Sequence, residues 1–93
     1  MLIVSYDFSN DKMRAKFAKF LSQYGRRIQY SVFELRNSKR VLDNVLTEIE
    51  KKYKPRFTNT DSIVIIPITP ADRKNVLRYG CARYDETDVV VFN

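Results

Sequence analysis

GRRIQYSVFE, residues 25–34, alternates like a β-strand but presents two unlike faces. In an alternating chain, one face carries the mainly apolar side chains of Ile28, Tyr30 and Val32. The other face carries a mixed set, Gln29, Ser31 and Phe33. A strand buried on one face should alternate apolar with charged residues, and a strand buried on both should be apolar throughout. The stretch fits neither pattern. It predicts one bent strand, or two short strands that meet near Ser31, with an unusual partner against the second face.

The segments on either side predict the order β, α, β, α, β, short α, β. Strands are predicted at 2–6, 62–69 and 88–92, and helices at 11–24, at about 39–53 and from Thr69 to Tyr79. The first six elements fit an α+β, ferredoxin-like split βαβ sandwich (βαββαβ), in which two helices cover one face of an antiparallel sheet. The chain of 93 residues predicts one such domain, residues 1–93, with an extra C-terminal strand.

Cap and breaker residues support these bounds. Ser9 or Asn10 is expected to cap the first helix, and Gly25 to end it in the left-handed conformation. Asn37 or Ser38 is expected to cap the second helix. The run SIVIIPIT, 62–69, is almost wholly apolar, which predicts a strand buried on both faces, with an edge or bulge beginning at Pro67.

Two helices cover only one side of a sheet, so the other side needs a partner. We predict that Gln29, Ser31 and Phe33 form the floor of an interface between the sheets of a two-fold homodimer. The terminal strand, about 88–92, would then add to the edge of the partner sheet. The alternative is that this strand pairs within its own sheet.

Charge and composition indicate the kind of partner. Seventeen Lys and Arg against eleven Asp and Glu give a net charge of +6, which favours DNA or RNA over a merely soluble basic surface. No apolar run is long enough to span a bilayer, and the first residues lack a basic leader, so no membrane partner is expected. With a single cysteine, Cys81, this predicts a cytoplasmic protein.

The absence of histidine excludes His-based catalysis and most zinc sites, so any catalysis depends on carboxylates, arginines, hydroxyls or a metal. Asp7, at the predicted end of the first strand, is the candidate metal ligand. Two copies of Asp7 at a dimer axis would make a carboxylate pair for one Mg²⁺, which takes few carboxylates and keeps waters. The alternative is that Asp7 caps the turn into the first helix.

Basic residues cluster in two stretches near this position: Arg14, Lys16, Arg26, Arg27, Arg36 and Arg40. They are candidates for binding phosphates, and the alternative is a solvated face. Arg27 could instead pair with Glu34 or Asp7. Tyr30 and Phe33 could stack on bases, although aromatic residues at strand spacing more often belong to a core.

Residues 6–34, YDFSNDKMRAKFAKFLSQYGRRIQYSVFE, closely resemble the signature of the second universal CRISPR-associated protein family (Cas family two). The shared pattern is a strand that ends in Tyr-Asp, a basic helix, and Gly-x-Arg-Ile-Gln-x-Ser-Val-Phe-Glu. DSIVIIPIT, 61–69, and Gly80 extend the resemblance over roughly the first 80 residues.

The resemblance implies a ferredoxin-like homodimer with an exchanged or augmenting C-terminal strand, acting in CRISPR adaptation (spacer acquisition). Such a dimer bridges the CRISPR integrase subunits and holds duplex DNA on its basic flanks. Some members are Mg²⁺-dependent endonucleases on single-stranded RNA or double-stranded DNA, and Mn²⁺ is a possible substitute. Others act as non-catalytic scaffolds. Carried over by position, the metal aspartate corresponds to Asp7, and the other catalytic positions to Arg14, Lys16 and Arg27, paired on the strand with Phe33.

This chain departs from the family at Lys16, where the family often has arginine. A lysine holds phosphate as a point charge, not through a bidentate fork. The proposed nucleic-acid contacts are Arg14, Lys16, Arg26, Arg36 and Arg40. A small single-stranded RNA-binding module remains an alternative, because RNA-recognition domains share the βαββαβ order and leave the sheet open.

Overall fold

The computed structural model describes residues 1–80, which form four strands and three helices. Their bounds are β1 Leu2–Asp7, α1 Asp11–Leu21, β2 Gly25–Gln29, β3 Val32–Leu35, α2 Lys39–Glu48, β4 Ser62–Pro67 and α3 Pro70–Arg73. Cys81 and the predicted strand 88–92 lie outside the described residues.

The four strands form one sheet in the order β2-β3-β1-β4, and each neighbouring pair is antiparallel. With α1 and α2 as the connections β1–β2 and β3–β4, this is the predicted ferredoxin-like arrangement. Residues 25–35 are two short strands of a hairpin, so the second of the two predicted forms is confirmed. Tyr30 and Ser31 make the turn, and the carbonyl of Ser31 accepts a hydrogen bond from the amide of Tyr6 at 3.1 Å.

The core lies between one face of the sheet and the two long helices. Aromatic rings dominate it: Phe17 meets Tyr53 edge-on at 4.8 Å and Phe8 at 5.4 Å between ring centroids. Alternate residues of β1 supply its floor, since Leu2, Val4 and Tyr6 are buried while the residues between them are not. The opposite sheet face, which α1 and α2 do not cover, is called the open face below.

The open face differs from the predicted one because the chain reverses at Tyr30 and Ser31, which sets Gln29 opposite Val32. The register places Arg27 opposite Phe33 but Gln29 opposite Val32, so Ile28 is an extra residue between them. Cross-strand partners share a sheet face. Gln29 therefore lies on the open face with Val32, whereas Phe33 lies on the core face and is buried. The prediction that Phe33 floors a sheet-to-sheet interface is wrong, and Ser31 lies in the turn.

The predicted helix caps are confirmed, but Gly25 has another role. Asn10 Oδ1 accepts a hydrogen bond from the Met13 amide at 2.9 Å, and Ser38 Oγ accepts one from the Val41 amide at 3.1 Å. The first helix ends at Leu21, and Gly25 opens β2 without a positive φ. A Cβ there would lie 2.0 Å from the carbonyl oxygen of Glu34. Gly25 is therefore required for close strand approach, not for a left-handed helix end.

The second helix continues beyond α2 as a π-helical turn, Ile49–Tyr53, followed by a 3₁₀ turn, Lys54–Arg56. The predicted helical span of about 39–53 therefore holds, with a change of hydrogen-bonding pattern at its end. The π-turn ends at Tyr53, whose ring stacks on Phe8 at 6.1 Å and is 1% exposed.

β4 is an edge strand, and within one chain only one of its faces packs on the core. Val64 and Ile66 on the open face are 51% and 46% exposed, so burial of the second face, as predicted, would need a partner. The third helix, capped by Thr69 as predicted, ends at Arg73 and does not reach Tyr79.

Candidate metal and nucleic-acid site

Asp7 lies at the end of β1, exposed and on the open face. Alternation along β1 places it on the side of Ile3 and Ser5, and the register sets it opposite Ser62 of β4. Asn10, three residues later, caps α1, so the alternative role of Asp7 as the cap of that helix is wrong. Within residues 1–80 its carboxylate has no hydrogen bond or ion pair, which leaves both oxygens accessible to a ligand.

Residues 1–80 of one chain supply too few ligands for a metal. No group of three or more acidic, His or Cys side chains within the described residues is arranged to hold an ion. Mg²⁺ commonly uses only one or two carboxylates and completes its shell with waters and substrate phosphates. Asp7 therefore fits as one ligand of a site whose other ligands come from outside the described residues of this chain, and not as a site alone.

Arg14 and Arg27 meet in a cleft of about 380 Å³ beside the β1–α1 turn, which we call the arginine cleft. It is lined by Asp11, Arg14, Ala15, Arg27 and Tyr30. Both guanidinium carbons lie 5.9 Å from the centroid of the Tyr30 ring, one from each arginine. Tyr30 is 68% exposed, so the interpretation of its ring as core is wrong. The turn position after the β2 bulge, not strand spacing, explains why the ring faces solvent.

Arg14 is held in place by the elements next to Asp7. Its Nη2 donates to the carbonyl of Phe8 at 2.7 Å, and its Nη1 donates to Asp11 at 2.6 Å. The hydrogen bond with Asp11 raises the pKa of Arg14 above its ordinary value. Phe8 follows Asp7 directly in the chain, so Arg14 is fixed to the residue next to the candidate metal ligand.

Arg27 packs on rings instead of pairing with Glu34 or Asp7. Its guanidinium carbon lies 5.3 Å from the centroid of the Phe33 ring. Burial raises the pKa of the Tyr6 hydroxyl, and the nearby Arg27 opposes that rise. Arg27 is thus on the core side of β2, at the rim of the sheet, whereas Asp7 is on the open face.

The remaining predicted basic residues divide between two other places. Arg36 follows Leu35, which pairs with Leu2, so Arg36 and Arg40 lie at the end of the sheet opposite Asp7. The five residue steps from Leu2 to Asp7 span roughly 17 Å. Arg26, opposite Glu34, is also nearer that end.

Lys16 lines a different cleft, with Lys12, Lys52 and Arg56. The expected grouping of all these residues around Asp7 is therefore wrong, whereas Arg14 and Arg27 do share one cleft.

The loop beside Asp7 is fixed by Asp61, which the sequence did not single out. Asp61 Oδ1 accepts from the amide and hydroxyl of Ser9 at 2.9 and 3.1 Å, and Oδ2 accepts from the amide of Thr58 at 2.9 Å. The hydrogen bond from the Ser9 amide, followed by that from Thr58, holds the pKa of Asp61 below its usual value. No local sequence pattern indicates this role of Asp61, because Ser9, whose amide it binds, is 52 residues away in the chain.

Asp61 should make stability depend on pH in acid. A carboxyl whose pKa is lower in the folded chain stabilises the fold above its unfolded pKa of 3.8, and that contribution disappears as pH falls through the folded value. We expect Asp61→Asn to lower the free energy of unfolding at pH 6 and to differ less from wild type at pH 3. Urea unfolding at both pH values measures this. Asp43→Asn, an exposed carboxylate paired with Lys39, is the control. An equal difference at both pH values would contradict the role of Asp61.

Part of the open face is covered by the chain that follows β4. Glu34 lies on this face, is 6% exposed, and is hydrogen-bonded to Arg78, with Arg73 at 4.0 Å. Glu34 pairs with Ile3, near the start of β1, so the cover lies away from Asp7. Val64, opposite Ser5, stays exposed.

The chain matches the family described as CRISPR associated protein Cas2 over residues 1–76. Two relatives from Synechocystis sp. are called CRISPR-associated endoribonucleases Cas2 3 and Cas2 2. They are 33% and 35% identical, over 74% and 84% of this chain and 72% and 82% of theirs. The crystal structure of Streptococcus pyogenes Cas2 matches the fold with a TM-score of 0.67 at 23% identity, over 85% of this chain and 98% of that one. Within residues 1–80, no helix is both long and apolar enough to cross a bilayer.

Proposed function

Because the chain belongs to the family of CRISPR-associated Cas2 proteins, we propose that it is a nucleic-acid-binding homodimer with Mg²⁺-dependent endonuclease activity on single-stranded RNA or double-stranded DNA. The endoribonuclease names of its relatives support the reaction class. The observation that carries the proposal is the position of Asp7, an exposed carboxylate without a described partner on the open face of the sheet.

The open face supports pairing with a second copy of the chain. Val64 and Ile66 are about half exposed there, side by side with Ser5 and Ile3 of β1 in the register. An edge strand with exposed aliphatic residues is unfavourable in water and is stabilised by a partner. A two-fold axis close to the Asp7 end would bring the two carboxylates together. The terminal strand 88–92 would cover the partner's sheet edge in this arrangement.

In this proposal the residues divide the work. Asp7 of each subunit would hold the ion, and Mg²⁺ or Mn²⁺ would supply an activated water and charge neutralisation at the phosphate. Arg14, fixed by the Phe8 carbonyl, binds the phosphate nearest Asp7. Arg27 and Tyr30 extend that contact along the arginine cleft. Arg26, Arg36 and Arg40 hold a more distant part of the strand, about one sheet length away.

We propose the cytoplasm as its location and CRISPR adaptation as its setting, with the CRISPR integrase subunit as a protein partner. A scaffold that binds duplex DNA without cleaving it is the second candidate. It is supported by the lack, within residues 1–80, of any group of three or more side chains arranged to hold an ion. A stacking RNA-binding module has less support. The aromatic residues of β1 and β3, Tyr6 and Phe33, face the core, and the open side of those strands carries Ile3, Ser5 and Val32.

The experiment that tests the proposal places a charge on the open face. We expect wild type to have the mass of two subunits in light scattering, and Val64→Asp to raise the dimer dissociation constant by at least about 100-fold. Each dimer would bury two unpaired carboxylates. Cleavage of RNA or DNA should fall with the dimer, because the two Asp7 side chains no longer meet.

Leu46→Asp is the matched control, since Leu46 is 43% exposed but lies on α2, on the helical side. It should leave the dimer and the cleavage intact. A wild-type mass of one subunit, or a Val64→Asp protein that remains dimeric, would refute the arrangement.

A further inference from the structure

We propose that a second cleft, lined by Lys12, Lys16, Lys52 and Arg56, binds a phosphate monoester such as the terminal phosphate of a nucleic-acid strand. We call it the lysine cleft. The choice of a nucleic-acid end as the source rests on the proposed function. The cleft itself is separate from the arginine cleft, with which it shares no lining residue.

The cleft is a concavity of about 440 Å³ between α1 and the π-helical and 3₁₀ turns that follow α2. This volume lies within the range of sites for small ligands. Lys12 and Lys16 are one helical turn apart on α1, and Lys52 and Arg56 are four apart across the two turns. Two elements therefore each direct a pair of cations to one hollow. Cations spread along a flat surface bind successive phosphodiesters of a nucleic acid. Cations arranged around a concavity can all contact one group of higher charge, such as a phosphate monoester.

The charges in and beside the cleft leave an excess of cation. Four cationic side chains line it against one carboxylate, Asp61. Both oxygens of Asp61 accept hydrogen bonds from Ser9 or Thr58, which also line the cleft. Lys52 has a partner outside the lining, Glu48, at 3.1 Å. The excess is thus carried mainly by Lys12, Lys16 and Arg56.

The floor of the cleft gives a second indication of a ligand. Tyr53 lines it and is 1% exposed, and its hydroxyl is buried without a hydrogen-bond partner within the described residues. Burial raises the pKa of Tyr53 to about 12, so the hydroxyl keeps its proton at neutral pH and is a donor. Glu48 adds to this rise and Arg56 opposes it, so charges of both signs lie near the hydroxyl. A buried donor that lacks an acceptor is costly, and a ligand oxygen that reached this hydroxyl would supply one.

The residues that line the cleft also indicate that it does not recognise the base of the bound nucleotide. Tyr53 is the aromatic residue of the lining, and its faces are covered by Phe8 and Phe17. No ring of the lining is therefore exposed for a base to stack on, in contrast to Tyr30 in the arginine cleft. The lysine cleft should recognise the phosphate and accept any base.

The test uses the full chain in EDTA, so that metal-dependent binding and cleavage do not contribute. Fluorescence anisotropy compares a short RNA carrying a 5′-phosphate with the same RNA ending in a 5′-hydroxyl. We expect the phosphorylated RNA to bind about 10-fold more tightly, the effect of one additional charge-assisted contact. Lys52→Gln with Arg56→Gln should remove this preference and leave binding of the 5′-hydroxyl RNA within about 2-fold.

Lys51→Gln with Lys54→Gln is the matched control, because these residues lie on the same turns but do not line the cleft. It should keep the preference. Adenosine 5′-monophosphate should compete for the wild-type site, and adenosine should not. Equal affinity for the two RNAs, equal loss in the control, or competition by adenosine would overturn the proposal. None of these outcomes affects the cleavage assigned to Asp7, which requires the metal that EDTA removes.

Discussion

Asp7→Asn should lower Mg²⁺-dependent cleavage by roughly 10³-fold, because a metal site contributes several kcal/mol to a phosphodiester transition state and the dimer would lose both charged ligands. The substitution keeps the shape of the side chain. Asp7 is exposed and has no described hydrogen bond, so the free energy of unfolding should stay within about 0.5 kcal/mol of wild type. Cleavage of labelled single-stranded RNA and double-stranded DNA measures the effect, with Mg²⁺, with Mn²⁺ and with EDTA.

Asp43→Asn is the control for this experiment, since it removes an exposed carboxylate of α2 and should cleave at the wild-type rate. An Asp7→Asn protein as active as wild type would assign the reaction to another site or to a contaminating nuclease. If wild type itself does not cleave with either ion, while it still binds duplex DNA as a dimer, the scaffold function is the correct one.

Gly25→Ala should destabilise the chain by about 3 kcal/mol and lower the midpoint of thermal unfolding by roughly 12 °C or more. The new Cβ would lie 2.0 Å from the carbonyl oxygen of Glu34 and 2.7 Å from Cα of Leu35. Both are backbone atoms of β3, so no side chain can rotate away to make room. The β2–β3 hairpin must separate at this end, where Gly25 pairs with Leu35.

Gly80→Ala distinguishes this effect from the usual cost of replacing a glycine. Gly80 has φ of 64°, but no described atom lies within 4 Å of a Cβ built there. Its substitution should cost about 1 kcal/mol through backbone strain alone. Urea unfolding of the two variants compares them directly. A smaller loss for Gly25→Ala than for Gly80→Ala would show that β2 and β3 can move apart at little cost.

The candidate site was only partly predictable. Asp7 was identified from its place at the end of an apolar run, and Arg14 and Arg27 from their charge and the family resemblance. Their different environments were not predictable, since Arg14 depends on the Phe8 carbonyl and Arg27 on the Phe33 ring. The lysine cleft was missed because Lys12 and Arg56 are 44 residues apart, and no local pattern links them.

By itself, the amino-acid sequence determined the order of the elements within residues 1–80, although it predicted a third helix longer than the observed Pro70–Arg73. The spacing of apolar residues and the helix caps Asn10 and Ser38 depend on residues only a few positions apart, so helices and strands can be predicted from local sequence. Only the tertiary structure decided which sheet face is buried. The two-residue turn at Tyr30 and Ser31 sets Gln29 opposite Val32, which puts Gln29 and Phe33 on opposite faces, although simple alternation puts them on the same face. Strand alternation fixes only relative sides, and which side the helices cover depends on packing between segments that are distant in sequence.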